Sequence, residues 1–425
     1  MSNSVGKAIL VYFWGMNNEQ IFALALGLQT PWYVKETVLT KPENQRRGQL
    51  DIYIDFAEGA KFSDEHNELC GVHDCEQRSW QHLNFFEHNC FIHARVPRIR
   101  QSDGKVKTVV VPWARPGSGF TLLFEAFAML LIEYEMPVNK VASTLRVYAN
   151  RIWRVFGFWV RDAVDKDDLS TVKQVGIDET SSKKGHNYVT VCADLEKRRV
   201  IHVSEGREGA VVGDLATAID NKNGDFQSIS HVAIDMSPAY ISGVMEHLPK
   251  AQIVFDKFHI VAKLNEAMDD LRKAERKEAE LLKGHKYTVL YKYENLTTKK
   301  QDELDYLLMI YPRLGEAYRL KELFNEFWDI GQTEDAMAFL SFWCDMVMDT
   351  DIHPFKKFVA TLKAHWSGII NYIKAKINSG VMEGINNKIQ LAKRRARGYK
   401  NIHNFINMIY FIAGKLKFNY PHYPT

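Results

Sequence analysis

The amino-acid sequence predicts an α/β protein whose central part is a mixed five-stranded sheet with helices on both faces. Three observations carry this prediction. Between residues 172 and 256, five short apolar runs separated by turn residues alternate with two helical segments. Residues 258–350 then have a helical pattern throughout and interrupt the sheet. A pair of short helices near residues 137–155 precedes it.

Residues 1–116 are predicted to form a small β-rich N-terminal module. Residues 17–30 have the pattern of a short helix, and Leu50–Phe56 alternates apolar and polar positions as a half-buried strand does. Residues 62–95 are rich in His and Cys. The segment Val111–Phe120 contains two prolines and two glycines, which indicate a linker or turn.

A helix-turn-helix is predicted within residues 117–165. Thr121 is a suitable cap for a helix over Leu122–Tyr134, and Pro137 suits the first position of the next helix. The helical spacing breaks near Arg146 and resumes. The second helix is expected to expose polar and cationic groups that can reach DNA bases or phosphates: Asn150, Arg151 and Arg154. The alternative is a pair of packed helices without a DNA-binding role.

Residues 170–257 are predicted to hold the sheet. Its runs are Val172–Ile177, Tyr188–Ala193 and Arg199–Glu205 as a meander, then His231–Asp235 and Ala251–Phe255, with helices near 209–220 and 236–247. Three strands, helix, strand, helix, strand is the order of a ribonuclease-H-like fold. After the helical insertion over 258–350, the helices of residues 351–425 are expected to complete this domain.

Acidic residues follow two strands that are neighbours in such a sheet. Asp178 is predicted to end the first strand and Asp235 the fourth. Two carboxylates a few ångströms apart repel each other. Mg²⁺ prefers carboxylate oxygens, and two ions about 3.5–4 Å apart suit phosphoryl transfer. The sequence therefore predicts a two-magnesium site, with Glu383 of a later helix as third acid. Glu179 is expected to face away because strand residues alternate.

Charge is distributed unevenly along the chain. The net charge is only +3, but residues 384–425 contain eight Lys or Arg and no acidic residue. Such a basic tail indicates nucleic acid or an anionic surface as a partner. The groups predicted to hold a DNA backbone are Asn387, Lys388, Lys393, Arg394, Arg395 and Arg397.

Compartment and membrane signals are weak. The N-terminal apolar run is short and lacks a small-residue cleavage site, and no stretch approaches about 18–20 apolar residues. The five cysteines are odd in number and widely spaced, which does not suggest a disulfide framework. We therefore expect a reduced, cytoplasmic setting and no membrane partner.

With these residues in hand, the chain resembles bacterial insertion-sequence transposases of the D-D-E type, specifically the ISL-three family. The matching stretches are Val175–Glu179, Ile234–Tyr240, Phe255–Ile260 and Gly380–Lys388, with Trp80–Leu83, Ala94–Arg98 and Val111–Ser118 upstream. These short sequence motifs are specific in combination, and the resemblance covers nearly the whole chain from about residue 20.

The resemblance implies roles for particular residues. Asp178, Asp235 and Glu383 would be the catalytic, metal-binding triad. Asp256 and His259 match the family's Asp-x-Phe-His word and would border the site. The implied reaction is attack of water on a phosphodiester at each transposon end, followed by attack of the freed 3′-hydroxyl on target DNA. Double-stranded terminal inverted repeats and target DNA are the implied partners, bound by a homodimer.

The N-terminal module departs from the family. Its members usually carry paired Cys-x-x-Cys knuckles for zinc, and this sequence has no pair with that spacing. The candidate zinc ligands are Cys70, Cys75, His66 and His73. Structural zinc needs four ligands, whereas scattered thiols and histidines are more often free groups. The module is therefore interpreted as a degenerate zinc-binding module, with Zn²⁺ left open.

Two other functions stay open at this stage. A catalytically decayed or repurposed copy would bind DNA without cutting it; the intact acids argue against this reading and the eroded cysteines favour it. A nuclease on the same fold would cut DNA and never join ends.

Overall fold

Two sheets, each with its own hydrophobic core, organise the chain in the computed structural model. The structure describes residues 16–43, 47–183, 187–206, 209–276, 280–375 and 380–420. The chain divides into two units, Met1–Trp159 with Phe418–Thr425, and Val160–Lys417. No helix in these described ranges is long and apolar enough to cross a membrane.

The first unit holds a six-stranded sheet in the order β1-β2-β5-β4-β3, with β6 paired to β5. Strands β2 and β5 are parallel, and the other pairs are antiparallel. Trp32 and Trp80 meet Trp113 edge to face in the core, with ring centroids 5.0 and 5.7 Å away. The elements are α1 (Asn18–Ala25), β1 (Trp32–Thr40), β2 (Gln49–Phe56), β3 (Lys61–Ser63), β4 (Leu69–Phe85), β5 (His88–Arg100) and β6 (Val106–Thr108).

The predicted pair of helices follows this sheet. The elements are α2 (Leu122–Glu133), α3 (Val138–Leu145) and α4 (Ala149–Asp165). Thr121 caps α2 by accepting a hydrogen bond from the backbone N–H of Phe124. Arg146 ends α3 in the left-handed conformation, with φ of 57°. The turn therefore falls where the sequence pattern broke.

A buried carboxylate ties α2 to the segment before it. Glu125 is fully buried, and its Oε2 accepts hydrogen bonds from Arg115 Nε and Trp159 Nε1, both at 2.8 Å. Ser118 Oγ donates to Oε1 of the same carboxylate. A buried charge is tolerated when it is paired and hydrogen-bonded. Arg115 and Ser118 thus give the segment Val111–Phe120 a packing role beyond that of a linker.

The second unit holds the mixed five-stranded sheet, in the order β11-β10-β7-β8-β9. Strand β10 runs parallel to β11 and β7, whereas β7, β8 and β9 form an antiparallel meander. The predicted neighbours β7 and β10 are indeed adjacent. The elements are β7 (Gln174–Lys183), β8 (Asn187–Asp194), β9 (Arg199–Glu205), α5 (Ala210–Asp220), β10 (His231–Ile234), α6 (Pro238–His247) and β11 (Gln252–Phe255).

A helical region follows β11, as the sequence predicts. The helices are α7 (Lys257–Arg276), α8 (Lys286–Leu290), α9 (Thr298–Ile310), α10 (Pro312–Glu326), α11 (Thr333–Met348), α12 (His353–Ala364), α13 (Trp366–Ala375), α14 (Gly380–Ala396) and α15 (Ile402–Ala413). The apolar faces of the helices from α7 to α13 join the core of the sheet in one continuous cluster. Three of the last helices return to strands: α13 contacts β11, α14 contacts β7 and α15 contacts β9.

The predicted end of β7 is wrong. The strand was expected to stop at Asp178, but it continues to Lys183. Its pairing with β10 stops at Gly176, whereas its pairing with β8 continues from Asp178↔Val191 to the end of the hairpin. The polar residues after Asp178 remain in a strand because β8 supplies their backbone partners.

Gly176 of β7 allows α14 to lie close to the sheet. A Cβ at this position would be 2.8 Å from Met382 Sδ and 2.7 Å from Leu195 Cδ2. We therefore expect Gly176→Ala to lower the free energy of unfolding by about 1–3 kcal/mol through overpacking. Chemical denaturation measures this change.

Gly384→Ala is the matched control on α14. A Cβ at Gly384 meets nothing within 4 Å, so alanine should stabilise the helix by about 0.5–1 kcal/mol. Equal free energies of unfolding for Gly176→Ala and the unmutated protein would show that α14 is not seated against Gly176.

Candidate active site

Two predicted acids lie side by side on the second sheet. Ala233 of β10 pairs with Gly176 of β7 in parallel register. Two residues further along each strand come Asp235 and Asp178, which therefore lie at the same level and on the same face. Both carboxylates line one small cavity. The sheet thus brings these acids together although 56 residues separate them in the sequence.

Asp256 extends this row to the third parallel strand. It follows the last residue of β11, and its backbone N–H donates to the carbonyl of Ile234 at 3.1 Å. Asp256 and His259 line the same cavity as the other two aspartates. The prediction placed both at the border of the site, and they lie in its wall.

Local turns hold two of these carboxylates. Asp235 Oδ1 accepts a hydrogen bond from the backbone N–H of Ser237, and Asp256 Oδ1 accepts one from that of Phe258, both at 2.9 Å. Each acid thereby stabilises the start of the helix that follows it, α6 or α7. One oxygen of each carboxylate is engaged in this way.

Asp178 is the most constrained of the three. Its Oδ1 accepts from the backbone N–H of Glu179 at 2.7 Å, and its Oδ2 accepts from Asn386 Nδ2 at 2.6 Å. Burial raises the pKa of Asp178, against the lowering effect of these hydrogen bonds and of the nearby His259. The carboxylate is therefore held in a place where its negative charge is costly.

Glu179 faces the other side of the sheet, as predicted. Its Oε1 accepts a hydrogen bond from the hydroxyl of Tyr240 on α6 at 2.9 Å. Helix α6 thus covers one face of β7 while α14 covers the face that carries Asp178. This arrangement excludes Glu179 as the acid that joins Asp178.

A series of contacts, here called the α14–β7 ladder, seats α14 on the sheet. Every fourth or third residue of the helix meets the strand: the pairs are Met382–Gly176, Asn386–Asp178, Gln390–Thr180 and Lys393–Ser181. One helical turn advances about 5.4 Å and two strand residues about 6.6 Å, so helix and strand stay in step.

Glu383 lies on the stretch of α14 that carries the ladder residues Met382 and Asn386. Glu383 lies between Met382 and Asn386 on α14, so its backbone is at the level of Gly176 and Asp178. Its side chain is exposed and does not line the cavity. Among the residues that the structure describes, no three His, Cys, Asp or Glu side chains converge tightly enough to hold a metal ion.

The cationic residues predicted on α14 fall into two groups. Lys393 turns inward and donates to the backbone carbonyl and the hydroxyl of Ser181, and burial lowers its pKa. In this structure the ammonium of Lys393 is thus engaged by the strand, and its contact with DNA stays a prediction. The other predicted groups are exposed: Asn387, Lys388, Arg394, Arg395 and Arg397.

The helix-turn-helix residues divide in the same way. Asn150 and Arg154 are exposed on α4. Arg151 instead donates to Gln81 Oε1 at 3.2 Å and stacks over the ring of Phe120, 4.0 Å from its centroid. The expectation that Arg151 is exposed is therefore incorrect. Sequence spacing could not show this, because the acceptor lies on a strand 70 residues earlier.

The four candidate zinc ligands do not form a metal site among the described residues. Cys75, His66 and His73 are exposed, and Cys70 is half-buried. His73 Nε2 lies 2.8 Å from Arg100 Nη2, and its ring also pairs with Asp74. The first unit is instead held by its tryptophan-rich core.

The two units together define a class of protein. One carries a helix-turn-helix whose second helix exposes an arginine, which suits DNA binding. The other carries a row of carboxylates on a mixed sheet, with a basic helix beside it, which suits chemistry on a phosphodiester. The chain is a DNA-processing enzyme.

Comparison with known proteins makes this class specific. A family model described as a transposase, of the D-D-E type in family ISL3, matches residues 175–409. The model for the helix-turn-helix domain of transposase family ISL3 matches residues 109–160. The chain therefore belongs to the ISL3 family, the ISL-three family of the resemblance, and is a DNA transposase.

Curated relatives agree with this assignment. The transposase for insertion sequence element IS1001 of Bordetella parapertussis is 28% identical over 85% of this chain and 90% of its own length. The transposase for insertion sequence element IS1557 of Mycobacterium tuberculosis is 27% identical over 76% of this chain and 79% of its own length. These transposases are similar to the chain over most of its length.

The donor set fits the divalent metal ion that a D-D-E family implies. Asp178 and Asp235 offer hard carboxylate oxygens from adjacent strands. Asn386 Oδ1 is buried beside them and accepts no hydrogen bond within the part of the chain that the structure describes. A buried acceptor without a donor is costly unless a ligand or a water molecule satisfies it.

Replacing Asp178 by Asn should raise the free energy of unfolding of the metal-free protein near neutral pH. Because burial raises the pKa of Asp178, the folded state binds this proton more tightly than the unfolded chain does. The stability from this group is thus present at low pH and is lost as the pH rises past the ordinary aspartate value toward the raised one. The free energy of unfolding of Asp178→Asn should therefore exceed that of the unmutated protein by more as the pH rises from the ordinary aspartate pKa toward the raised one.

Denaturation at several pH values in the presence of a chelator measures this difference. Asp168→Asn is the control, because hydrogen bonds from Ser170 lower the pKa of Asp168. Its carboxylate stabilises the fold above the ordinary aspartate pKa and loses that effect as the pH falls, so the variant should show the opposite trend. A destabilised Asp178→Asn at neutral pH would contradict the electrostatic cost assigned to this site.

Proposed function

We propose that this transposase binds the terminal inverted repeats of its insertion sequence and catalyses strand cleavage and strand transfer. The observation that carries the proposal is the shared row of Asp178 and Asp235, with α14 seated on β7 through the Asn386–Asp178 hydrogen bond. Glu383 lies on the same helix, three residues before Asn386. The strand order and the helices on both faces support a ribonuclease-H-like domain, formed by residues 170–257 and 351–425 around the helical insertion of 258–350.

Asp178, Asp235 and Glu383 form the proposed metal-binding triad for two Mg²⁺ ions. The bound ions would supply activation of the attacking oxygen and stabilisation of the leaving one. The chain's own part is to hold the oxygens in place. Backbone N–H groups fix one oxygen of each aspartate, and the rotation of the exposed Glu383 side chain toward the row would complete the triad.

Other residues of the site orient and bind DNA. His259 and Asp256 line the same cavity as Asp178 and would border the scissile strand. The exposed Arg394, Arg395 and Arg397 extend from the same helix as Glu383. They would neutralise phosphates without reading sequence.

DNA recognition and assembly would involve other parts of the chain. Sequence recognition would fall to the helix-turn-helix within residues 117–165, preceded by the module of residues 1–116. We propose a homodimer on DNA, since two transposon ends must be processed together, and a location at the nucleoid.

Three alanine variants test the triad. Asp178→Ala, Asp235→Ala and Glu383→Ala should each reduce cleavage of a terminal-repeat duplex in Mg²⁺ by roughly 10²–10³-fold or more, since a preorganised charge is lost. Glu246→Ala, which removes an exposed acid of α6, should cleave normally. Binding of the duplex should survive in all four variants.

Two results would contradict the proposal. Loss of duplex binding together with cleavage would make the acids structural. Cleavage by the unmutated protein without joining of the ends to target DNA would identify a nuclease. Cleavage is followed on a labelled terminal-repeat duplex, and joining with a supercoiled target.

The helix-turn-helix is tested by a pair of arginine variants on α4. Arg154→Ala should weaken binding to the terminal-repeat duplex by about 1–3 kcal/mol without changing stability, because Arg154 is exposed. Arg151→Ala should lower the melting temperature, because its guanidinium bonds to Gln81 and stacks on Phe120. Fluorescence anisotropy and thermal unfolding measure the two effects; unchanged affinity in Arg154→Ala would remove α4 from the DNA interface.

A further inference from the structure

We propose that Asn386 is a positioning residue for the catalytic site, which orients Asp178 toward the bound metal ions. This inference rests on the proposed function. The amide lies on α14, three residues after Glu383, and its Nδ2 donates to Asp178 Oδ2 at 2.6 Å. Helix α14 carries the proposed ligand Glu383, and through Asn386 it also holds the proposed ligand Asp178.

The geometry leaves little freedom to the carboxylate. Asp178 Oδ1 accepts from the backbone N–H of Glu179 at 2.7 Å, so the two hydrogen bonds together fix the plane of the carboxylate. The strand alone supplies only the first of them. Without Asn386, Oδ2 would be free to rotate, and a ligand held within narrow limits favours metal binding and catalysis.

The carbonyl oxygen of the Asn386 side chain supports a role beyond seating α14 on β7. Asn386 Oδ1 is buried and has no hydrogen-bond partner among the described residues. Gln390, one turn further along α14, makes the same kind of contact with Thr180 Oγ1 at 3.1 Å, and among the described residues it has no hydrogen bond to a carboxylate. A purely structural amide would not need an acceptor kept free beside the acids. Oδ1 is therefore available to accept a hydrogen bond from a site water or from substrate when the site is loaded.

The α14–β7 ladder makes the comparison of Asn386 and Gln390 a matched one. Both side chains are amides on the same face of one helix, and both donate to β7. Asn386→Ala should raise the Mg²⁺ concentration for half-maximal cleavage by about 10–100-fold, as is typical when a group supporting a metal ligand is removed. Gln390→Ala should leave that concentration unchanged while lowering the melting temperature to a similar extent.

Three measurements on the full-length protein decide the matter. They are the Mg²⁺ dependence of cleavage of the terminal-repeat duplex, Mn²⁺ affinity without DNA by electron paramagnetic resonance, and thermal unfolding. In Asn386→Ala we expect a weaker Mn²⁺ affinity and cleavage that recovers at high metal concentration. The inference would be overturned if Asn386→Ala had the metal dependence and the Mn²⁺ affinity of the unmutated protein. It would also be overturned if Asn386→Ala and Gln390→Ala changed these two metal measurements equally.

Further variants separate the possible failures. If Asn386→Ala does not fold, Asn386→Gln replaces it; this variant keeps an amide one methylene further out and should raise the half-maximal Mg²⁺ concentration at least about threefold, since a displaced supporting group weakens the metal ligand. Unmutated metal dependence in Asn386→Gln would then overturn the inference. Normal cleavage by Asp178→Ala would overturn the proposed function itself, whereas an inactive Asp178→Ala beside unchanged Asn386 variants would overturn only this inference.

Discussion

The close approach of α14 to β7 is the constraint on which the proposed site depends. The helix can lie against the strand because Gly176 has no Cβ where Met382 packs. Beyond that contact, one turn of the helix advances by nearly the same distance as two residues of the strand. Asn386, Gln390 and Lys393 therefore meet, in order, Asp178, Thr180 and Ser181. Asn386, in the last quarter of the chain, thereby reaches Asp178 of β7 in the five-stranded sheet.

The row of carboxylates carries an electrostatic cost to the stability of the fold. Parallel register sets Asp178 of β7 in one row with the aspartates that directly follow β10 and β11, and burial makes the charge on Asp178 unfavourable. Stability alone would replace such a carboxylate by a neutral group of the same shape. A divalent cation changes the balance, because it converts repelling neighbours into ligands. The site is therefore expected to be one where stability and activity oppose each other.

Much of the second sheet could be predicted from the sequence. The apolar runs are short, separated by turn residues and ordered with the helices, so neighbouring strands follow from connection rules. The position of Asp178 within its strand could not be predicted, because polar residues such as Ser181 stay in β7 only through pairing with β8. The hydrogen bond from Lys393 to Ser181 could not be predicted either, because it depends on the same extension of β7.

The sequence by itself determined the order of the elements and the alternation that turns Glu179 away from Asp178, because these depend on local periodicity. The tertiary structure decided which polar side chains are exposed and which are engaged by other parts of the protein. Arg151 and Lys393 find acceptors far away in the sequence, and Asn386 finds Asp178 across 208 residues. Such contacts depend on how helices are seated on strands, which no local pattern specifies.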